Sequence, residues 1–301
     1  YYFHTIWEPL CPSTARMNMM MKNMLISLLG LALAFGGSAD ARTILQNKGS
    51  DTLVNVAQAW AEEYQKVKPD VAVAVSGGCS GTGIAALING TVDIANSSRA
   101  MESVEFEEAK ANGVTPVEHI VGYDALAVYL HQNNPATSLT IQQLQDIYGR
   151  GGTAKRWTDI GIEVPGCQKQ KLVLVGRQNN SGTYMYFREA VLGKKQKYTL
   201  GTLDMHGSKD VVDLVEKTPC AIGYSGIAYA SKHVKVACIS KSGEDACVMP
   251  TLQNTLDGSY PIARPLFMYT NGEATGEIKA YLDWILSDEG QCIIANIGYA
   301  P

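Results

Sequence analysis

VAVAVSGGCSGTGIAALIN, residues 71–89, decides the architecture of this chain. The alternating β-branched run 71–75 predicts a strand, and 83–89 predicts a helix. Between them lies a segment made almost entirely of Ser, Thr and Gly. A helix entered this way leaves its first N–H groups unpaired at the positive end of the macrodipole. Hydroxyl donors stand beside them, and glycines let the backbone come close to a ligand. The same design recurs at Gly49-Ser50-Asp51-Thr52, ahead of a helix expected over 53–68, and at Arg177 to Thr183, ahead of a helix expected over 183–192. One such start is commonly no more than an N-cap. Three in one chain can converge on one small anion.

Outward from these segments, short β-branched runs alternate with helical stretches, which predicts an α/β fold with largely parallel strands. Further strands are expected over 43–46, 92–95, 125–130, 172–175, 221–224, 234–239 and 267–269, and further helices over 141–148 and 274–286. The helix after Thr52 is the clearest, because Val54, Ala57, Trp60, Ala61 and Tyr64 recur at three- and four-residue steps. No internal repeat is visible. With 301 residues, 46% hydrophobic and 18% charged, the chain is long enough for two cores and too apolar to stay disordered. Its formal net charge of −4 offers no general attraction for nucleic acid or anionic membranes, so an anion must be met by local groups.

Residues 19–41 read as a signal peptide: Lys22, the apolar run 24–35, then Ala39-Asp40-Ala41 as the cleavage site. That run falls short of the roughly 20 residues a spanning helix needs. Residues 1–16 precede any start at Met17 to Met21 and have no export character. No Cys follows the apolar run within the cleavage region, which argues against a lipoprotein. The mature chain is thus expected from Arg42 onward, soluble in the periplasm. It would keep six of seven cysteines, a number compatible with disulfides in an oxidising compartment. Cys238 and Cys247 flank a turn-rich stretch between β-like runs and are expected to pair. No C-x-x-C or close Cys/His cluster suggests a metal, and no cofactor is expected.

The motifs in order are Gly-Ser-Asp-Thr at 49–52, Ser-Gly-Gly-x-Ser-Gly-Thr-Gly at 76–83, Thr91-Val92-Asp93-Ile94-Ala95-Asn96-Ser97-Ser98-Arg99, and Arg177 followed by Ser181-Gly182-Thr183. Together they resemble the phosphate-binding protein of ABC phosphate importers. The resemblance extends over nearly the whole mature chain, including Tyr123 to Val128 and Ala221 to Gly226. It implies a type II periplasmic-binding-protein fold: two lobes, 42–122 with 265–301 and 123–264, joined by two crossing strands near 122–126 and 261–266. It also implies a monomer that closes over inorganic phosphate and docks on a membrane permease. By position, Ser80, Arg177, Ser181, Gly182 and Thr183 match the family's phosphate donors. Asp51 and Thr52 fall on the first donor loop with Ser50 beside them, and Gly81, Thr82, Ser98 and Arg99 complete the candidate set. Many family members carry an aspartate where this chain has Ser98. That carboxylate accepts the proton of hydrogen phosphate and disfavours sulfate, and Asp51 is the candidate replacement.

An enzyme is not expected. Gly78-Cys79-Ser80-Gly81-Thr82 and Gly223-Tyr224-Ser225-Gly226-Ile227 both miss the G-x-S-x-G nucleophile elbow, and Gly81-Thr82-Gly83 lacks the lysine of a P-loop. Another oxyanion, such as sulfate, arsenate or molybdate, or an adhesion role on the same fold, remains the alternative.

Overall fold

The structure is a computed structural model that describes residues 42–301. The expected signal peptide and the stretch before it lie outside the described residues. The chain first alternates strand and helix: β1 (Thr43–Gly49), α1 (Asp51–Val67), β2 (Val71–Ser76), α2 (Ser80–Ile88), β3 (Ile94–Ser97) and α3 (Ser103–Ala111). The 16-residue strand β4 (Pro116–His131) then leads away. It is followed by β5 (Ser138–Thr140), α4 (Ile141–Tyr148), β6 (Val173–Arg177), α5 (Gly182–Phe187), β7 (Leu203–Met205), α6 (Ser208–Lys217), β8 (Ala221–Gly226), β9 (Val234–Ser240) and α7 (Leu252–Leu256). Strand β10 (Ala263–Asn271) returns to the first unit, where α8 (Gly276–Ile285) and α9 (Asp288–Ile297) pack.

The strands run in the order β2-β1-β3-β10-β4-β8-β6-β7. Parallel pairing holds at each end, β1 with β2 and β3, and β6 with β7 and β8. The middle is antiparallel, because β10 runs against both β3 and β4. Ala263 faces Ala125 and Leu266 faces Gly122, after which the ladder shifts register between Leu266 and Phe267.

Separate cores make the two lobes. In the first, Leu53, Val56, Trp60 and Tyr64 of α1 pack on Ile94, Leu266 and Met268. The opposite sheet face carries Phe267 and Tyr269 against Ile84 and Leu87 of α2. Successive residues of β10 therefore feed opposite faces, as strand geometry requires. In the second lobe Leu126, Val128 and Leu130 join a cluster with Trp157, Phe187 and Tyr224, while Ala127 and Tyr129 meet Val211 and Val215 of α6. Burial on both faces explains the unbroken apolar run at 125–130.

The buried stripe of α1 is turned from the expected one. It is centred on Leu53, Val56, Ala57 and Trp60, and Val54 is only half-buried because it faces a groove on the cleft side. The helix expected over 183–192 stays α-helical only to Phe187 and continues as a π-turn. The one expected over 274–286 is followed by a second helix, α9, capped by Ser287. Three further helices, α3, α6 and α7, were absent from the expectation. Gly83 shows why α2 can start where it does: a Cβ there would stand 2.5 Å from the Lys48 carbonyl oxygen and 2.6 Å from the Gly49 Cα. Only glycine lets α2 lie this close to β1.

Cys238 and Cys247 form the expected disulfide, and Ile239 and Val248 pair beside it as a short antiparallel bridge. A second disulfide, Cys167–Cys220, closes 53 residues and ties the segment before β6 to the start of β8. Loop-closure entropy makes the longer staple the more stabilising, at about 4 kcal/mol against about 3 kcal/mol. Replacing Cys167 and Cys220 by Ala should therefore lower the urea midpoint more than replacing Cys238 and Cys247. The reverse order in a denaturation series would refute this ranking.

Candidate functional site

Four segments distant in sequence meet where the lobes face each other. The Ser50 hydroxyl donates to Ser98 Oγ at 2.9 Å. Ser80 Oγ accepts from the Ser98 N–H at 3.1 Å and lies 3.3 Å from Ser98 Oγ. Across the cleft, Thr52 Oγ1 and Thr183 Oγ1 are 3.1 Å apart, and the Gly81 N–H donates to the Asn180 carbonyl at 3.1 Å. Ser181 caps α5, accepting from the Thr183 N–H at 3.2 Å. Ser50, Thr52, Ser80, Ser98, Ser181 and Thr183 are all buried. Gly182 makes the approach possible, since a Cβ on it would lie 2.4 Å from Ser80 Oγ and 2.6 Å from Ser98 Oγ. The result is a cluster of hydroxyls and helix-start N–H groups drawn from both lobes, a donor-rich setting suited to an oxyanion.

Arg177 is 1% exposed at the end of β6. Its Nη1 donates to Ser208 Oγ at 2.7 Å and its Nη2 to the His206 carbonyl at 2.8 Å, while its buried Nε has no hydrogen-bond partner. Asp51 from the other lobe stands 3.4 Å from Nη2, and the same carboxylate oxygen accepts the Ser208 N–H at 2.7 Å. A first-lobe carboxylate thus sits on the N-terminus of second-lobe helix α6, where the macrodipole favours negative charge. Burial pulls the Arg177 pKa below its usual value, and the Asp51 charge opposes that pull. Tyr229 donates to the Asp51 carbonyl at 2.7 Å. A groove of 390 Å³ bordered by Asp51, Val54, Lys209 and Tyr229 opens beside the pair, so the Asp51 side chain keeps 20% exposure while that of Arg177 keeps 1%.

Two candidates are claimed by local partners. Thr82 Oγ1 donates to the Cys79 carbonyl at 2.7 Å and accepts the Cys79 N–H, so it closes the first turn of α2. Arg99 forks onto Glu105 at 2.7 and 2.6 Å and donates to the Ala100 carbonyl. Ser97, by contrast, is a purely local tie, donating to the Arg99 carbonyl at 2.6 Å.

Sequence reasoning missed a second arginine. Arg264 on β10 lies opposite Asp124 on β4, and both side chains are fully buried. Nε and Nη2 donate to Asp124 Oδ2 at 3.1 and 2.7 Å, and Nη1 donates to the Ser98 carbonyl at 2.9 Å. Nη2 also reaches Thr183 Oγ1 at 3.0 Å and Thr52 Oγ1 at 3.3 Å. Burial holds the Asp124 carboxyl pKa above its usual value, and the Arg264 charge and hydrogen bond oppose that push without cancelling it. The signal lay in the sequence: one Arg in the apolar stretch 261–269 and one Asp in the apolar stretch 120–130. An unpaired charge in a buried strand is costly enough to demand a partner.

Among the described residues no group of three or more His, Cys, Asp or Glu is placed to hold a metal ion, and no helix is long and apolar enough to cross a membrane.

Comparison with known proteins agrees with this geometry. Residues 36–289 match the model of the PBP superfamily domain. The phosphate-binding protein PstS of Pseudomonas aeruginosa is 35% identical over 268 residues, 85% of this chain and 82% of that protein. Protein SphX of Synechococcus elongatus is 32% identical, over 86% of this chain and 78% of its own length. In three dimensions, a Clostridium perfringens chain crystallised with bound phosphate superposes with a TM-score of 0.76 at 30% identity, covering 86% of this chain and 99% of that one. An ABC-type phosphate transport receptor from Vibrio cholerae superposes with a TM-score of 0.67 at 26% identity, covering 85% and 99%. Fold, sequence identity and the two-lobed arrangement of donors together place this chain in the PBP superfamily, as a member of the PstS family of phosphate-binding proteins.

Proposed function

We propose that this chain is an exported receptor that captures inorganic phosphate between its lobes and presents it to the membrane permease of an ABC importer. The observation that carries this reading is the cluster of Ser50, Thr52, Ser80, Ser98 and Thr183 hydroxyls from both lobes, with Arg177, whose buried Nε has no hydrogen-bond partner, paired to Asp51, the chain neighbour of Ser50 and Thr52. A ligand that bridges groups of both lobes stabilises the closed form by contacts the open form lacks. The lobes are 42–122 with 265–301 and 123–264, and β4 and β10 form the hinge. The protein is a periplasmic monomer without a lipid anchor, and its role is capture without a chemical step. Phosphate oxygens are met by Ser50, Thr52, Ser80, Ser98, Arg177, Ser181 and Thr183, with Gly182 supplying a backbone N–H group, while the Gly81 N–H ties the lobes together through the Asn180 carbonyl.

Asp51 takes the role of acceptor-only group that Ser98, whose hydroxyl can also donate, cannot enforce. It is the partly exposed carboxylate at the cluster, whereas Asp124 is enclosed and already holds Arg264 and the Ile227 N–H. Calorimetric titration of residues 42–301 with phosphate, sulfate and arsenate tests the reading. Phosphate and arsenate should bind and sulfate should be rejected, because fully ionised sulfate brings no proton to meet Asp51. Comparable sulfate binding would remove Asp51 from this role, and no oxyanion binding would overturn the function.

A further inference from the structure

The Arg264–Asp124 pair could be explained as a tie between the crossing strands, since the two residues are ladder partners. That explanation uses only part of the geometry. The bonds to Asp124 and to the Ser98 carbonyl would already hold the strands and the β3 end together. Arg264 Nη2 nevertheless also reaches Thr52 Oγ1 in the first lobe and Thr183 Oγ1 in the second.

A guanidinium can donate but never accept, so both threonine oxygens must act as acceptors toward it. The 3.1 Å contact between the two hydroxyls then consumes one O–H, and the other must point away from Arg264. A threonine left to itself can present either a lone pair or an O–H to a ligand. With Arg264 behind them, the pair keeps one O–H free and holds it in the donor sense. The effect is greatest where water is excluded, because hydrogen bonds and charges act more strongly in a low dielectric.

We propose that Arg264 is a positioning residue for the bound anion: it holds Thr52 and Thr183 as acceptors toward itself, so that the one O–H not spent between them points to the anion, and it adds a buried positive charge whose strength Asp124 sets. This rests on the phosphate-receptor reading of the same site. Each arginine of the site is thereby matched with a carboxylate, Arg177 with Asp51 and Arg264 with Asp124. The two pairs cancel in charge, so hydroxyl direction adds to the selection of the ligand.

Phosphate titrations of wild type, Arg264→Lys, Thr183→Val and the double variant test this, each with its thermal unfolding midpoint. Lysine keeps the charge but not the fork, so it cannot hold Asp124, Ser98 and both threonines at once. Arg264→Lys should weaken phosphate binding about tenfold or more, on the scale of a lost charged hydrogen bond. Thr183→Val should cost affinity in wild type but clearly less in the Arg264→Lys background, because the hydroxyl there is no longer aligned. A lower unfolding midpoint with unchanged phosphate affinity and an undiminished Thr183→Val loss would reduce Arg264 to a strand tie and overturn the proposal. Should Arg264→Lys fail to fold, Asp124→Asn keeps Arg264 and its threonine contacts while removing the counter-charge. Phosphate should then raise the unfolding midpoint further than it does in wild type, since the anion replaces the lost carboxylate; an equal rise overturns the proposal. If wild type takes up no phosphate, the functional reading falls and takes this inference with it. If wild type binds and Arg264→Lys binds equally well, only this inference falls.

Discussion

Arg177→Ala should lower phosphate affinity by two to three orders of magnitude. The guanidinium is 1% exposed and supplies the charged donor of the cluster from the second lobe. Truncating one partner of a buried charged contact costs about 2 to 5 kcal/mol, much of it from the partner left behind. Here that partner is Asp51, whose carboxylate would remain beside the anion with its counter-charge removed. Arg177→Lys should fall between the two, since it keeps the charge and loses the fork that spans Ser208 and the His206 carbonyl. Calorimetry reads the affinity, and a cooperative unfolding transition in each variant controls for folding. Near-normal binding by Arg177→Ala would remove this residue from the site.

Gly182→Ala should weaken binding by a different route, by resisting closure. The added Cβ would stand 2.4 Å from Ser80 Oγ, 2.6 Å from Ser98 Oγ and 3.0 Å from the Ser98 carbonyl carbon. The hydroxyls can rotate aside, but the backbone carbon cannot. Because Gly182 is the first residue of α5, alanine there does not harm the helix itself, so the cost falls on the approach of the lobes. Overpacking of this kind costs about 2 to 3 kcal/mol, equivalent to roughly thirty- to 150-fold in affinity. Solution scattering with phosphate present should show the variant staying more extended than wild type under the same conditions. Full compaction together with unchanged affinity would sink this account of Gly182.

Much of the candidate site was legible because its groups sit at helix starts. Ser, Thr, Gly and Asp are written into short contiguous motifs, so Ser50, Ser80, Ser181 and Thr183 could be marked before any contact was known. Motif position did not reveal which way each side chain turns. Thr82 and Arg99 belong to the same motifs as Ser80 and Ser98, yet local acceptors claim them: the Cys79 carbonyl takes one and Glu105 the other. Nor could spacing show that Asp51 caps helix α6 of the other lobe, 157 residues away, although Val211, Val212 and Val215 at three- and four-residue steps marked α6 itself as a helix that the sequence reading missed.

By itself, then, the sequence determined the alternation of strands and helices, the helix-start motifs, the Cys238–Cys247 bridge and the family to which they resemble a match. All of these depend on neighbours within about one element's length, where hydrophobic period and turn chemistry act. Only the tertiary structure decided that Arg264 meets Asp124, that Cys167 meets Cys220, and that Thr52 meets Thr183. These contacts join residues 53 to 140 positions apart. They exist because β4 and β10 bring both lobes to one hinge in one register, and a shift of a single residue in that ladder would turn Arg264 and Asp124 to the opposite face.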